Sequence, residues 1–228
     1  MRLWTGIAVA VLLSAVLVPS AHAGRYGRIH RKNMPDGWVW PPSPAMKREG
    51  QRCLAALTEA GVVWKKAPKE RKIATPIYVP GMELGGVKLT PTFRKGPFVM
   101  DCHLALALAR HGEVLRQIGV RELRFSTIHE YRQVRLGGRK RGVLSRHALG
   151  LAMDIFELVT DTGERVVVKD RYKKHEPTLL AVERSILASM DFRTPLTPGN
   201  DRSHRDHFHI EARVDFIEDR SVTAMLAR

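Results

Sequence analysis

The sequence predicts one α+β domain, a small and mostly antiparallel sheet with flanking helices. Three observations lead there. Two stretches, 45–60 and 98–118, combine helix formers with an apolar period near 3.6 residues. Several short β-branched or apolar runs between them and after them are bounded by Gly, Pro and Asp turn signals. No internal repeat and no second composition regime divides the chain.

The elements follow in order. Arg2 precedes an uncharged apolar stretch from Ile7 to Val18, and Ala21 and Ala23 are the small residues a signal peptidase accepts, so 1–23 reads as a signal peptide cleaved after Ala23, the alternative being a retained N-terminal membrane anchor. No further segment is long and apolar enough to cross a membrane, which places the mature chain in the periplasm or outside the cell. About 205 residues remain, enough for one domain with a core. Residues 24–44 are basic and rich in Gly, Pro and Trp without a period of 2 or 3.6, and read as an extended, mobile arm; the domain proper is 45–228. A first helix over 45–60 stops at Gly61, and 62–75 is too charged to be core. Short extended pieces at 77–79 and 87–89 follow, then a long amphipathic helix after Pro97 ending near Ile118. Val120 to Ile128 is strand-like, and Arg132 to Arg146 reads as a basic, Gly-containing loop of the kind that carries function. Residues 151–159 and 164–168, joined by Thr160-Asp161-Thr162-Gly163, form a hairpin pattern. A helix over 179–190, a loop over 195–201 and a last strand over 207–214 complete the chain.

Charge and cysteine content narrow the function classes. After the leader, 37 basic side chains face 23 acidic ones, a formal charge of +14. Such a field favours polyanions, and export points to lipid headgroups or anionic envelope polymers, with peptidoglycan or muropeptides among them. The basic residues are dispersed and no aromatic-interleaved run offers a base-stacking platform, so nucleic acid is not an expected partner. Cys53 and Cys102, each in a helix-forming stretch, are expected to form a disulfide in an oxidising compartment, the alternative being two buried thiols. Two cysteines exclude a four-Cys structural zinc site.

The chemistry concentrates in two segments. Ser145 to Asp154 places His147 and Asp154 seven residues apart, with Gly150 between them to let the backbone turn. Asp206-His207-Phe208-His209-Ile210-Glu211 alternates as a strand, with His207 and His209 on one face and Phe208 and Ile210 on the other. Two imidazoles and a carboxylate are a ligand set for catalytic zinc, which keeps a fourth position for water. His147, Asp154 and His209 are the expected ligands, and zinc there would bring the pKa of a water to about 7. His207, two residues from a ligand and on its face, is the candidate proton carrier; Asp206 is the other candidate base, or the group that orients a neighbouring imidazole. His204 and His175 are possible cleft residues, read first as polar surface.

The stretch Ser145 to Asp154 resembles the Ser-x-His-x-x-Gly-x-Ala-x-Asp signature of the hedgehog/D-alanyl-D-alanine zinc peptidase group. The closing Asp206-His207-Phe208-His209, with Cys53-Leu54-Ala55-Ala56-Leu57 ahead of Gly61-Val62 and Asp101-Cys102 ahead of an Ala/Leu-rich helix, is similar to its extensin-like C-terminal branch, over about 45–213. The resemblance implies the same three zinc ligands on a small α+β fold and activity on D-amino-acid peptide bonds of peptidoglycan, as a D,D-endopeptidase or carboxypeptidase. It also implies a cation for the scissile carbonyl at Arg132, in Glu130-Tyr131-Arg132. The chain departs from the branch in lacking a second cysteine pair, and from many relatives in carrying Asp206 where a Glu stands three residues before the last ligand. The alternative functions are a catalytically silent, zinc-containing cell-wall-binding module, and a metal-free basic envelope protein that binds lipid headgroups or nucleic acid.

Overall fold

The structure, a computed structural model, describes residues 33–136, 139–200 and 202–217. The stretch expected to be a signal peptide, 1–23, and the first part of the basic arm lie outside the described residues.

Helix α1 (Pro44–Glu59) opens with Ser43, whose hydroxyl accepts from the Met46 N–H at 3.2 Å, and with Pro44 at its first position. Its buried residues Met46, Gly50, Cys53 and Leu57 recur at helical spacing and make one stripe. Then come β1 (Lys65–Lys66), β2 (Pro76–Tyr78), β3 (Glu83–Leu84), β4 (Val87–Pro91) and β5 (Met100–Asp101). Helix α2 (Cys102–Gln117) starts where Asp101 accepts from the His103 N–H at 3.0 Å, and most of its circumference is buried. Cys53 and Cys102 are joined, with their Cα atoms 6.1 Å apart, so the expected disulfide ties α1 to α2. Beyond α2 lie β6 (Val120–Thr127), β7 (Gln133–Leu136), β8 (Arg139–Leu144), β9 (Ala152–Thr160), β10 (Arg165–Val167), α3 (Val168–Arg171), α4 (Pro177–Ala188) and β11 (Phe208–Glu211).

The architecture is α+β, with three small sheets in place of one. The main sheet runs β10-β9-β6-β4-β3, and β11 also pairs with β9. All its pairings are antiparallel except β4 with β6, which α2 connects across the sheet. Strand β9 is central: β6 follows one edge, while β11 pairs with Ala152–Ile155 and β10 with Glu157–Val159 on the other. The core packs Phe125, Phe192 and Phe208, all fully buried, against α2 and the sheet.

Further readings of the sequence are corrected. The segment 132–146 is no loop: β7 and β8 form a separate antiparallel hairpin. The Gly137-Gly138 step after the alternating run Gln133-Val134-Arg135-Leu136 is a hairpin signal that the charge masked. The segment 62–75 contributes to the core through Ala67 (4% exposed) and Ile73 (2%), and Lys65–Lys66 pair with β2, because the charged side chains point out while the small and apolar ones turn in. The described part of the arm, 33–43, is docked on the domain. Phe216 N–H donates to Asp36 O at 2.7 Å, Arg146 Nε donates to Asn33 O at 2.5 Å, and Lys72 lies over the stacked Trp38 and Trp40 rings. The last strand is also shorter than expected and begins at Phe208.

Candidate metal centre

Asp154 is the third residue of β9. Thr127 of β6 stands opposite it on one side and His209 of β11 on the other. Cross-strand partners in an antiparallel pair hold their Cβ atoms about 5 Å apart on one face, so the register alone brings the carboxylate and the His209 ring together. An extra residue in β6 between Phe125 and Thr127 disturbs the ladder beside Asp154, a place where bulges re-aim side chains.

His147 arrives from a 3₁₀ turn, Arg146–Leu149, that feeds into β9. The Ser145 hydroxyl accepts from the His147 N–H at 3.3 Å and starts the turn; Gly150, at φ 67°, ends it. A side chain at position 150 would meet Asp101 N at 2.8 Å, where that N–H donates to Gly150 O. The spacing of Ser145, His147, Gly150 and Asp154 is thus the minimum that turns the chain and docks it on the start of α2.

The ligating atoms converge. His147 Nε2 lies 3.1 Å from Asp154 Oδ1, His209 Nδ1 lies 2.8 Å from the same oxygen, and the two ring nitrogens are 3.1 Å apart. All three residues are buried, and one ligating atom from each lies within 4.8 Å of the others. The far side of each ring is anchored: His147 Nδ1–H donates to Ile128 O at 3.0 Å, and His209 Nε2–H donates to Glu211 at 3.0 Å. Glu211 is itself held by Arg193 at 2.7 Å. Such partners fix the tautomer and turn the opposite nitrogen toward a metal.

The local field suits a cation. Burial works against charge on Asp154, yet the neighbouring His147 and His209 rings outweigh it and hold the carboxyl well below the usual carboxylate range. Burial also works against a charged His209, but its hydrogen bonds to Asp154 and Glu211 dominate and push its pKa up to about 9. Two carboxylates around two imidazoles, with the outer nitrogens committed elsewhere, fit a divalent ion such as zinc.

The remaining expected residues flank this cluster. His207 precedes β11, yet its Nε2 still reaches to 3.6 Å of Asp154 Oδ1. Its Nδ1–H donates to Asp206 at 2.8 Å, and its ring stacks on Phe156 at 4.9 Å. Asp206 therefore addresses His207 and orients it. Arg132 lies by the other carboxylate oxygen, 4.0 Å from Asp154 Oδ2 and 3.7 Å from Glu130, with its side chain 46% exposed. His204 belongs with the site, its ring 5.2 Å from His207 and 5.5 Å from His209, whereas His175 is exposed at the end of the turn after α3.

Glu211, the Ile128 carbonyl and Phe156 were not expected. Period-2 alternation carried the signal for two of them, since Glu211 is two residues past His209 and Phe156 two past Asp154. The Ile128 carbonyl left no trace in the side-chain pattern. Replacing Glu211 by Gln, which keeps an acceptor and removes the charge, is expected to weaken divalent-metal binding about 10–100-fold in a chelator competition, and also to lower the thermal midpoint because Arg193 loses its charged partner. Unchanged affinity would mean that the Glu211 contact does not tune the ligand.

No curated protein and no solved structure matches this chain. Residues 51–220 match the family described as extensin-like protein C-terminus, which takes in both cysteines, the His147–Asp154 turn and the β11 cluster. With that match running over most of its length, the chain belongs to the extensin-like C-terminal family.

Proposed function

We propose that this protein is an exported zinc peptidase of the hedgehog/D-alanyl-D-alanine type that hydrolyses D-amino-acid peptide bonds in peptidoglycan. The observation that carries the reading is the buried His147–Asp154–His209 cluster, its outer nitrogens anchored, with a carboxylate-bound imidazole on one side and a guanidinium on the other. A zinc ion held by these three residues would serve as a Lewis acid for the amide carbonyl and acidify a water.

The chain's own residues account for the remaining requirements. Asp206 holds the proton on His207 Nδ1, which leaves Nε2 facing the site as the acceptor. His207 Nε2 takes a proton from the attacking water and returns it to the leaving amine nitrogen. Phe156 supports the ring from beneath and limits its rotation. Arg132 meets the negative charge that grows on the carbonyl oxygen. The exported location follows from the leader sequence and agrees with the disulfide. No helix among the described residues is long and apolar enough to cross a membrane.

The test measures metal content and muropeptide release together. Wild type is expected to hold about one zinc and to release fragments, and His207→Ala to keep the metal while release falls about 10²–10⁴-fold. Zinc without cleavage in wild type would make the protein a binding module. Full activity in His207→Ala would remove that residue from the mechanism.

A further inference from the structure

One wall of the site has no part in the chemistry above. Strand β4 ends at Pro91, and Thr92 is pinned to β6 twice, its N–H (2.8 Å) and its hydroxyl (3.0 Å) both donating to Phe125 O. At the far end of the same loop, Phe98 meets the Phe125 ring edge-on at 5.0 Å. Held at both ends, the loop presents Phe93, 78% exposed. The Phe93 ring meets Phe156 edge-on at 6.3 Å, and Phe156 stacks on His207 at 4.9 Å and 21°. Three rings thus run without a break from the proton carrier to open solvent. Arg94 and Lys95 follow on the loop, both exposed.

Single exposed apolar residues are ordinary on a protein surface, and Val63, Met190 and Ile217 are others here. Phe93 differs because its position is coupled through Phe156 to the reacting side of the site. A phenyl ring has no hydrogen-bonding group, so it recognises by covering apolar surface. The ligand that suits it is flat, apolar on one face and polar at its edge. The pyranose ring of a glycan has that form, its C–H face able to lie on the phenyl while its hydroxyls stay in water. The two cations beyond the ring suit the carboxylates that accompany such a glycan in peptidoglycan.

We propose that Phe93 is a specificity-determining residue whose ring stacks on a sugar of the substrate, on the His207 side of the metal centre, with Arg94 and Lys95 beside it for carboxylates. This rests on the peptidoglycan reading above and sharpens it: the preferred substrate is a disaccharide-bearing peptide, not a free one. A bilayer is the other partner that a Phe-Arg-Lys tip could meet, and the ring-to-ring path to His207 favours a ligand of the site.

The test is calorimetric titration of the zinc-loaded mature protein with two uncleavable probes, a disaccharide-tripeptide that lacks a D,D bond and the same tripeptide without sugar. Wild type is expected to bind the sugar-bearing probe about tenfold more tightly, Phe93→Ala to lose that preference and leave tripeptide affinity unchanged, and Phe93→Trp to keep it. Equal affinity of Phe93→Ala and wild type for the sugar-bearing probe overturns the proposal, as does a wild type with no sugar preference. So does a Phe93→Ala variant whose only loss is binding to anionic lipid vesicles. Cleavage of intact muropeptides is scored separately. Cleavage with an unaltered Phe93→Ala sinks the platform alone, and a sugar preference without any cleavage sinks the peptidase reading alone.

Discussion

Alanine at position 147 is expected to abolish zinc binding and muropeptide release while the domain stays folded. The His147 ring is completely buried, with Nε2 in the cluster and Nδ1–H on the Ile128 carbonyl. Its removal takes one of three ligands, and with it on the order of 10³-fold or more in metal affinity. It also opens a cavity and leaves a buried carbonyl without its donor, a loss of about 2–4 kcal/mol. In a domain of this size that lowers the thermal midpoint by roughly 5–15 °C, which the remaining core can absorb. Metal dependence separates the two effects. At zinc 100-fold above its dissociation constant, wild type gains about 2.7 kcal/mol from binding to the folded state. The His147→Ala variant should show no shift at the same concentration, and a shift equal to that of wild type would strike His147 from the ligand set.

The second large effect is expected at the disulfide. Cys53 and Cys102 are separated by 49 residues and lie 2% and 0% exposed in the contact between α1 and α2. Closing a loop of that length restricts the unfolded chain by about 4 kcal/mol in the chain-entropy picture. The Cys53→Ala, Cys102→Ala double variant is therefore expected to melt roughly 8–15 °C below wild type under non-reducing conditions that keep the wild-type disulfide closed and the metal site loaded. Alanine is chosen so that no hydroxyl is buried in place of sulfur. Asp101, the residue before Cys102, accepts from Thr75 N–H at 2.9 Å, and its own N–H donates to Gly150 O at 3.0 Å. Loosening the start of α2 therefore reaches the turn that carries His147, and the variant is expected to bind zinc more weakly as well. A midpoint within 2 °C of wild type would show that the core alone holds α1 against α2.

Much of the fold was legible because it is written in local patterns. The Met46, Cys53 and Leu57 stripe marks α1, the Thr160–Gly163 turn marks the β9–β10 hairpin, and the apolar run from Leu179 marks α4, which begins two residues earlier at Pro177. Each depends on residues within a few positions of one another, where backbone preference and hydrophobic period act directly. The β7–β8 hairpin was missed because charge dominated the composition of a segment whose Gly-Gly step was the stronger local signal. The buried Ile73 was missed for a related reason, since one apolar residue among lysines and arginines is recognised as core only when something packs on it, and here that is Gly150.

The candidate site divides along the same line. The sequence by itself determined which residue types could hold a metal and which two short segments carry them: His147 and Asp154 across a glycine turn, His207 and His209 in alternation. Those facts are local chemistry and local geometry. Only the tertiary structure decided that His209 stands opposite Asp154, that Glu211 and the Ile128 carbonyl aim the two rings, and that Phe156 joins His207 to an exposed Phe93. These relations depend on the register of β9 with β6 and β11, strands separated by tens of residues in the chain, and register is settled by which faces the whole core can bury at once.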